Sequence, residues 1–295
     1  VTIWAAIIKR FTAPALPKPT LDYDKSYMDA LVNVLRLYFN QLDNLLGQIV
    51  ATTGNPVPIS IGGTNVDAFG RLRTSAPYTL FDSQNRYAID NQFDTSTATG
   101  GSTTYLTNES SVRMNVTTSS GSEVVRQTYR CMPYQPGKGL LCLATFVMNT
   151  AKTGLRQRAG YFGTQNGVFL QQADSTVSFV LRSYISGSVS DARAVNQADW
   201  NGDKLDGTGD SGYTLDLTKA QILWMDFEWL GVGSVRCGFI IDGNYIVCHT
   251  FENANDITSV YMTTAILPVR YEITNTAATA SASFMKQICS SVVSE

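Results

Sequence analysis

Between residues 21 and 50 the apolar positions recur with a helical period. Met28, Leu31, Leu35, Tyr38, Leu42, Leu45 and Ile49 follow one another at alternating spacings of three and four. This is the a/d seam of about three heptads, and it predicts a helix. Asn40, Gln41, Asp43 and Asn44 supply a solvated face, while Val34, Leu37, Phe39 and Leu46 widen the apolar stripe. Asp22 or Asp24 is the predicted amino cap, and Gly54 with Pro56 marks the expected end. One reading packs this helix on its own domain. The other makes it a short parallel coiled coil with the seven seam residues at an interchain contact. Its place ahead of a β-rich remainder favours the second, and the wide stripe favours a homotrimer.

The period then shortens to two. Val112, Met114 and Val116 alternate with polar residues, and Leu141, Leu143, Phe146 and Met148 form a denser apolar run. Further strands are expected at 168–171, 177–182, 222–230, 235–251, 260–262, 269–273 and 284–293. Asp242-Gly243 between two such runs is a hairpin signal. Ten to twelve short strands separated by Gly, Ser, Thr and Asn turns predict a β-sandwich, jelly-roll or concanavalin-like, over residues 105–295. The expected fold class is therefore mainly β, with an N-terminal arm and a coiled-coil-like helix ahead of the sandwich.

Two segments carry neither period. Residues 1–20 hold Pro14, Pro17 and Pro19 after an apolar start and read as an extended arm. Ile3, Trp4, Ile7 and Ile8 need a partner surface to bury them, which makes them the expected attachment residues; a loose terminus is the alternative. Residues 51–104 read as a Pro/Gly-broken linker followed by a β region containing Gly70, Arg71 and Arg73.

Composition narrows the possibilities. Only 16% of the 295 residues are charged, against 44% apolar. A surface of Ser, Thr, Asn and Gly in place of charge suits a protein that lives inside a larger assembly. A net charge of −2 without a basic run argues against a nucleic-acid partner. No window is long and apolar enough to predict a membrane span, and Lys9 and Arg10 follow the apolar start where a signal peptide would place them first. The five cysteines (131, 142, 237, 248 and 289) lack a framework spacing, which suggests thiols made in a reducing compartment. The hairpin would place Cys237 opposite Cys248, within reach of a disulfide or as two packed thiols.

Candidate chemistry is sparse. His249 is the single histidine and has no nucleophile motif beside it. Asp203, Asp206 and Asp210 share a Gly-rich loop whose spacing is not that of an EF-hand, so an ordinary polar loop is expected over a calcium site. Trp224, Asp226 and Glu228 would share one face of a strand. Some sandwich glycoside hydrolases place Glu, Asp and Glu at such positions, and a retaining mechanism needs two carboxyl groups. Here the first position is Trp224, so the nucleophile is missing and no enzyme is expected. No cofactor or metal is expected either.

Several stretches resemble virion structural proteins of tailed bacteriophages. They are Val66-Asp-Ala-Phe-Gly-Arg-Leu-Arg73 with Thr79-Leu-Phe-Asp-Ser83, residues 204–219, Trp229-Leu-Gly-Val-Gly233, Leu267-Pro-Val-Arg-Tyr-Glu-Ile273 and residues 287–295. Tyr23-Asp-x-x-Tyr27-Met28 and Leu37-Tyr-Phe-Asn-Gln-Leu42 resemble the start of small phage structural proteins. The resemblance implies a non-enzymatic particle component: a tail-fibre, spike or capsid-decoration protein, found in the virion and assembled in the host cytoplasm. Its partners would be other virion proteins, reached through the arm. The alternative is a receptor-binding module for host glycans, with Trp200 or Tyr213 as exposed loop aromatics; for Trp200 a place in the core is the competing expectation.

Overall fold

Short extended segments with alternating inward and outward side chains build most of the molecule. The computed structural model describes residues 25–50 and 77–295, with helix side chains described as far as residue 39. The chain divides into two units, Val1–Ser60 and Ile61–Glu295.

In the first unit α1 (Lys25–Val50) is a single 26-residue helix, about 39 Å long at 1.5 Å per residue. Leu31, Val34 and Tyr38 on its apolar stripe are half-exposed. Met28 and Leu35 are 39% and 37% exposed, and Leu37 and Phe39 more so. The side chains of Leu42, Leu45 and Ile49 lie outside the described residues. So do the arm with Ile3, Trp4, Ile7 and Ile8, the two candidate caps, and residues 51–76.

In chain order the strands are β1 (Tyr78–Gln84), β2 (Phe93–Ala98), β3 (Ser102–Leu106), β4 (Ser111–Val116), β5 (Glu123–Thr128), β6 (Leu140–Val147), β7 (Leu155–Phe162), β8 (Gly167–Ala173), β9 (Thr176–Ser183), β10 (Ser190–Asn196), β11 (Gln221–Phe227), β12 (Val235–Ile241), β13 (Asn244–Phe251), β14 (Val269–Asn275) and β15 (Ser283–Ser294). They form two antiparallel sheets. The eight-stranded sheet runs β13-β12-β11-β6-β15-β4-β3, with β1 also paired to β15. The seven-stranded sheet runs β10-β9-β8-β7-β14-β5-β2. The sandwich thus begins earlier than the expected residue 105, because β1 to β3 are already strands of the two sheets. The segment expected as a strand at 260–262 is a loop, in which Tyr261 and Met262 are buried against the core.

Inward side chains from both sheets make one core. Phe146, Leu223, Met225, Phe227 and Phe239 meet Tyr161, Leu170, Phe179, Leu181 and Tyr271 across it. Tyr161 lies 5.5 Å from Phe227, and Phe179 lies 4.6 Å from Trp200. On β15 the alternation slips at Ile288 and Cys289, where a bulge shifts the register against β6.

The Asp242-Gly243 turn forms as expected. Both residues have positive φ, 51° and 79°, as a type I′ turn requires. Pairing follows the predicted register as far as Gly238 opposite Val247. A bulge then places Cys237 opposite His249, not opposite Cys248 as expected. Both cysteines are buried free thiols.

Candidate functional site

The two outer faces of the sandwich differ in chemistry, and the polar one is built from two short sequences. In β7, Arg156, Arg158, Gly160 and Phe162 alternate with Gln157, Ala159 and Tyr161, and Ala159 and Tyr161 belong to the core. In β14, Arg270, Glu272 and Thr274 alternate with the core residues Val269, Tyr271 and Ile273. Register then lays these outward residues in rows across the sheet. One row runs Gln171, Arg158, Glu272, Val125, Ser96. The next runs Phe169, Gly160, Arg270, Gln127, Asp94.

Gly160 makes room in the second row. A Cβ there would come within 2.7 Å of the Phe169 backbone. Phe162 and Phe169 pack with ring centroids 4.4 Å apart and, with Val180, form a small buried apolar cluster outside the main core. Arginines roof this cluster. The Arg158 and Arg182 guanidiniums each lie 5.1 Å from the centre of the Phe169 ring, and Arg270 lies 5.5 Å from that of Phe162. Stacking of this kind suits the planar, weakly hydrated guanidinium.

Two carboxylates hold the roof together. Glu272, only 4% exposed at its side chain, meets Arg156 at 3.0 Å, Arg158 at 3.4 Å and Arg270 at 2.9 Å. Asp191 pairs with Arg182 through both oxygens, at 2.8 and 2.7 Å, and reaches Arg158 at 3.6 Å. Burial pushes the Glu272 carboxyl up, but the guanidiniums of Arg158, Arg270 and Arg156 outweigh it and hold the group below the usual carboxylate range. Burial likewise pushes Asp191 up, and Arg182 with Arg158 brings it below that range. Arg158 is pulled down to about 10, chiefly by burial and against the pull of Glu272. Beside this network Asp94, Ser96, Glu123, Gln127 and Arg270 line a depression. The arrangement offers anchored cations, carboxylate acceptors and an amide on one solvent-facing sheet.

The residues singled out in the sequence lie elsewhere. Trp224, Asp226 and Glu228 are each fully buried. Trp224 and Asp226 sit on the outer side of the eight-stranded sheet, where the Trp224 indole donates to the Ile246 carbonyl at 3.3 Å and Asp226 pairs with Arg236. His249 is buried at the β13 edge, where its Nδ1 accepts from the Asn201 amide at 3.3 Å. Burial, then Arg193, lowers its pKa. Asp203 uses its carboxylate to accept from the amides of Leu205 and Ser211, both at 2.8 Å, so it organises its own loop. Among the described residues no group of three His, Cys, Asp or Glu could hold a metal. Trp200 is a core residue, 2% exposed, and is not the exposed loop aromatic of the receptor-binding alternative. Tyr213 is half-buried, its hydroxyl donating to Asp242 at 2.8 Å.

Sequence reasoning missed the arginine face. The signal was there as Arg-x-Arg at 156–158 and Arg-x-Glu at 270–272, two alternations of charge along strands.

No protein-family model matches this chain, and no curated protein matches it. The fold does have counterparts among solved structures. An endo-β-1,4-glucuronan lyase from the fungus Trichoderma reesei is similar at 10% identity and a TM-score of 0.48, over 73% of this chain and 95% of that one. The Emp47p carbohydrate recognition domain is similar at 13% identity and a TM-score of 0.42, over 73% of this chain and 94% of that one. The botulinum neurotoxin serotype C1 binding domain is similar at 10% identity and a TM-score of 0.42, over 72% of this chain; the match spans about half of that chain, 48%. These are likenesses of architecture.

Proposed function

We propose that this chain is a non-enzymatic component of a tailed-phage particle, a trimeric fibre, spike or decoration protein, and that its sandwich binds glycans on the outer face of the seven-stranded sheet. One observation carries the binding reading. Four arginines and two carboxylates are fixed in a network on the outer face of the seven-stranded sheet, where Arg156 and Asp191 are its part-exposed members. Such pre-positioned planar groups suit the hydroxyls of a sugar, since packing has already fixed their rotamers.

Three further points support the wider reading. The phage-type stretches run through most of the chain. The carboxylates of the hydrolase-like strand are buried, with Asp226 committed to Arg236, so a substrate has no approach to them. The apolar stripe of α1 is exposed on several turns, as an interchain seam would be in a single chain. On this reading Met28, Leu31, Leu35, Tyr38, Leu42, Leu45 and Ile49 join three chains, and Ile3, Trp4, Ile7 and Ile8 join them to the particle.

Binding of the purified protein to a panel of immobilised oligosaccharides tests the sandwich. Binding should be lost on Gln127→Ala and kept on Ile222→Ala, which alters the opposite outer face, and no reducing ends should be released. A panel with no binder, or sugar release, would sink this reading. Light scattering tests the assembly, with an expected mass three times 32.2 kDa; a monomer at all concentrations would remove the seam.

A further inference from the structure

We propose that the sugar selected by this face is acidic: a hexuronate or comparable carboxylated residue, with its carboxylate on Arg270 and Arg156 and its hydroxyls on Asp94, Glu123 and Gln127. The proposal rests on the glycan-binding reading above and assigns its ligand class.

Charge is the first reason. In the centre of the face four guanidiniums share two carboxylates, so the network carries an excess of positive charge. Its main carboxylate, Glu272, lies beneath the arginines and is already engaged by three of them. A ligand anion arriving over Arg156 meets the most exposed arginine of the four.

Donor supply is the second. A guanidinium has five N–H donors. Arg270 directs Nε and one Nη at Glu272 and the other Nη at Gln127, at 3.3, 2.9 and 2.8 Å, which uses three. Arg156 makes a single side-chain hydrogen bond, from one Nη to Glu272 at 3.0 Å, which leaves its other Nη to a ligand. It is also the most exposed of the four arginines, at 27% of its side chain. Both residues therefore hold donors in reserve, in the planar geometry that a carboxylate accepts bidentately. Charge-assisted pairing of this kind is worth more where the cation is already part-desolvated.

The lining of the depression separates a sugar from a bare anion or an acidic peptide. Beside Arg270 it is formed by Asp94, Ser96, Glu123 and Gln127 as well. Two carboxylates there accept hydrogen bonds from vicinal hydroxyls, which a bare anion lacks. Asp94 lies two strands from Arg270 in the same row, about 10 Å at the usual strand spacing. An acidic sugar spans both requirements: hydroxyls over the carboxylates and its own carboxylate over the arginines. Exposed apolar residues, which a peptide would need for its side chains, are lacking among the described residues that line the depression, where Val125 is buried.

Titration calorimetry on the full chain tests this with three probes: a hexuronate tetrasaccharide, its carboxyl-reduced neutral counterpart, and a sulfated neutral tetrasaccharide. The expected result is that the hexuronate binds at least about tenfold tighter than either of the others, and that Arg270→Gln removes that margin. Asp94→Ala, at an exposed position, should weaken the hexuronate several-fold with an unchanged melting temperature, which keeps the test open if Arg270→Gln fails to fold. Equal binding of the neutral sugar, or an unaffected Asp94→Ala, would overturn this assignment while leaving a glycan-binding sandwich standing. Equal binding of the sulfated sugar would overturn the choice of carboxylate. If none of the three binds and no other sugar does, the glycan reading falls as well.

Discussion

The two outer faces of this sandwich began from the same constraint and solved it differently. Each sheet must present every second residue away from the core. On the eight-stranded sheet those positions are mostly apolar or aromatic: Leu141, Leu143, Val147, Ile222, Trp224, Ile240, Tyr245 and Val247, most of them half-buried or buried. There Trp224 lies over Gly238 with Tyr245 against its edge, and the buried carboxylate of Asp226 is tied to Arg236. On the seven-stranded sheet the corresponding positions carry guanidiniums, carboxylates and amides over a small aromatic floor. The first face is held by packing and the second by charge. Asp226, read from sequence as potential chemistry, landed on the packed face, while the charged face came from strands that carried no recognised catalytic motif.

The largest expected effects come from removing the centre of each face. Glu272→Ala leaves three buried or half-buried arginines short of their counter-charge and should cost about 3–5 kcal/mol in denaturant unfolding. Trp224→Ala should cost a similar ~3–5 kcal/mol by opening a cavity. Conservative replacements then separate the two. Trp224→Phe keeps a ring in place and should recover most of the loss, leaving about 1 kcal/mol for the lost bond to Ile246. Glu272→Met keeps the volume without the charge and should recover little. If Glu272→Met were as stable as the parent, the charged face would be held by packing after all.

A smaller effect is expected at Gly160. An added methyl group would press on the Val168 carbonyl and the Phe169 backbone, at 2.6 and 2.7 Å. Gly160→Ala should cost about 1–3 kcal/mol by overpacking, and it should disturb Arg158 through Phe169.

The mildest test is pH. Glu272 and Asp191 are held below the usual carboxylate range in the folded protein. Their contribution is full above the unfolded carboxylate pKa and is lost as pH falls through the folded values. His249 has a lowered folded pKa too, so its contribution is full above the ordinary histidine range and fades below it. Melting temperature should therefore decline first through the histidine range and then more steeply in the carboxylate range. In Glu272→Gln the steeper limb should flatten while the histidine limb remains.

How much of this was legible depends on where each signal sits. The helix and the Asp242-Gly243 hairpin were readable because their determinants are local: a period over 30 residues, and two residues that tolerate positive φ. Strands β4, β6, β8, β9 and β11 to β15 were readable from their apolar alternation. Strands β5 and β7 were not, because polar residues point inward on both. Arg126 on β5 enters the sandwich and bonds to Thr95 and Gln287 at 2.7 and 3.3 Å. Gln157 on β7 is buried and bonds to Gln172 at 2.8 Å. The cysteine register failed by one residue because of a bulge between Cys237 and Gly238, which the turn signal does not encode. The arginine face was the least legible part. Arg156 and Glu272 are 116 residues apart in sequence, and only the pairing of β7 with β14 makes them neighbours.

Strand β15 has a consequence for biosynthesis. It pairs with β6 along one side and with β4 and then β1 along the other. Until residues 283–294 have left the ribosome, β1, β4 and β6 each have an open edge facing a gap in the middle of the sheet. Such edges recruit other strands when left unpaired, and pairings this distant in sequence form slowly. A nascent chain therefore completes the rest of the sandwich with the eight-stranded layer divided, and copies made side by side would be exposed to mutual mispairing during that interval. Slow elongation over β14 and β15 would lengthen the exposure, so yield should respond to translation rate there more than in any earlier part of the sandwich.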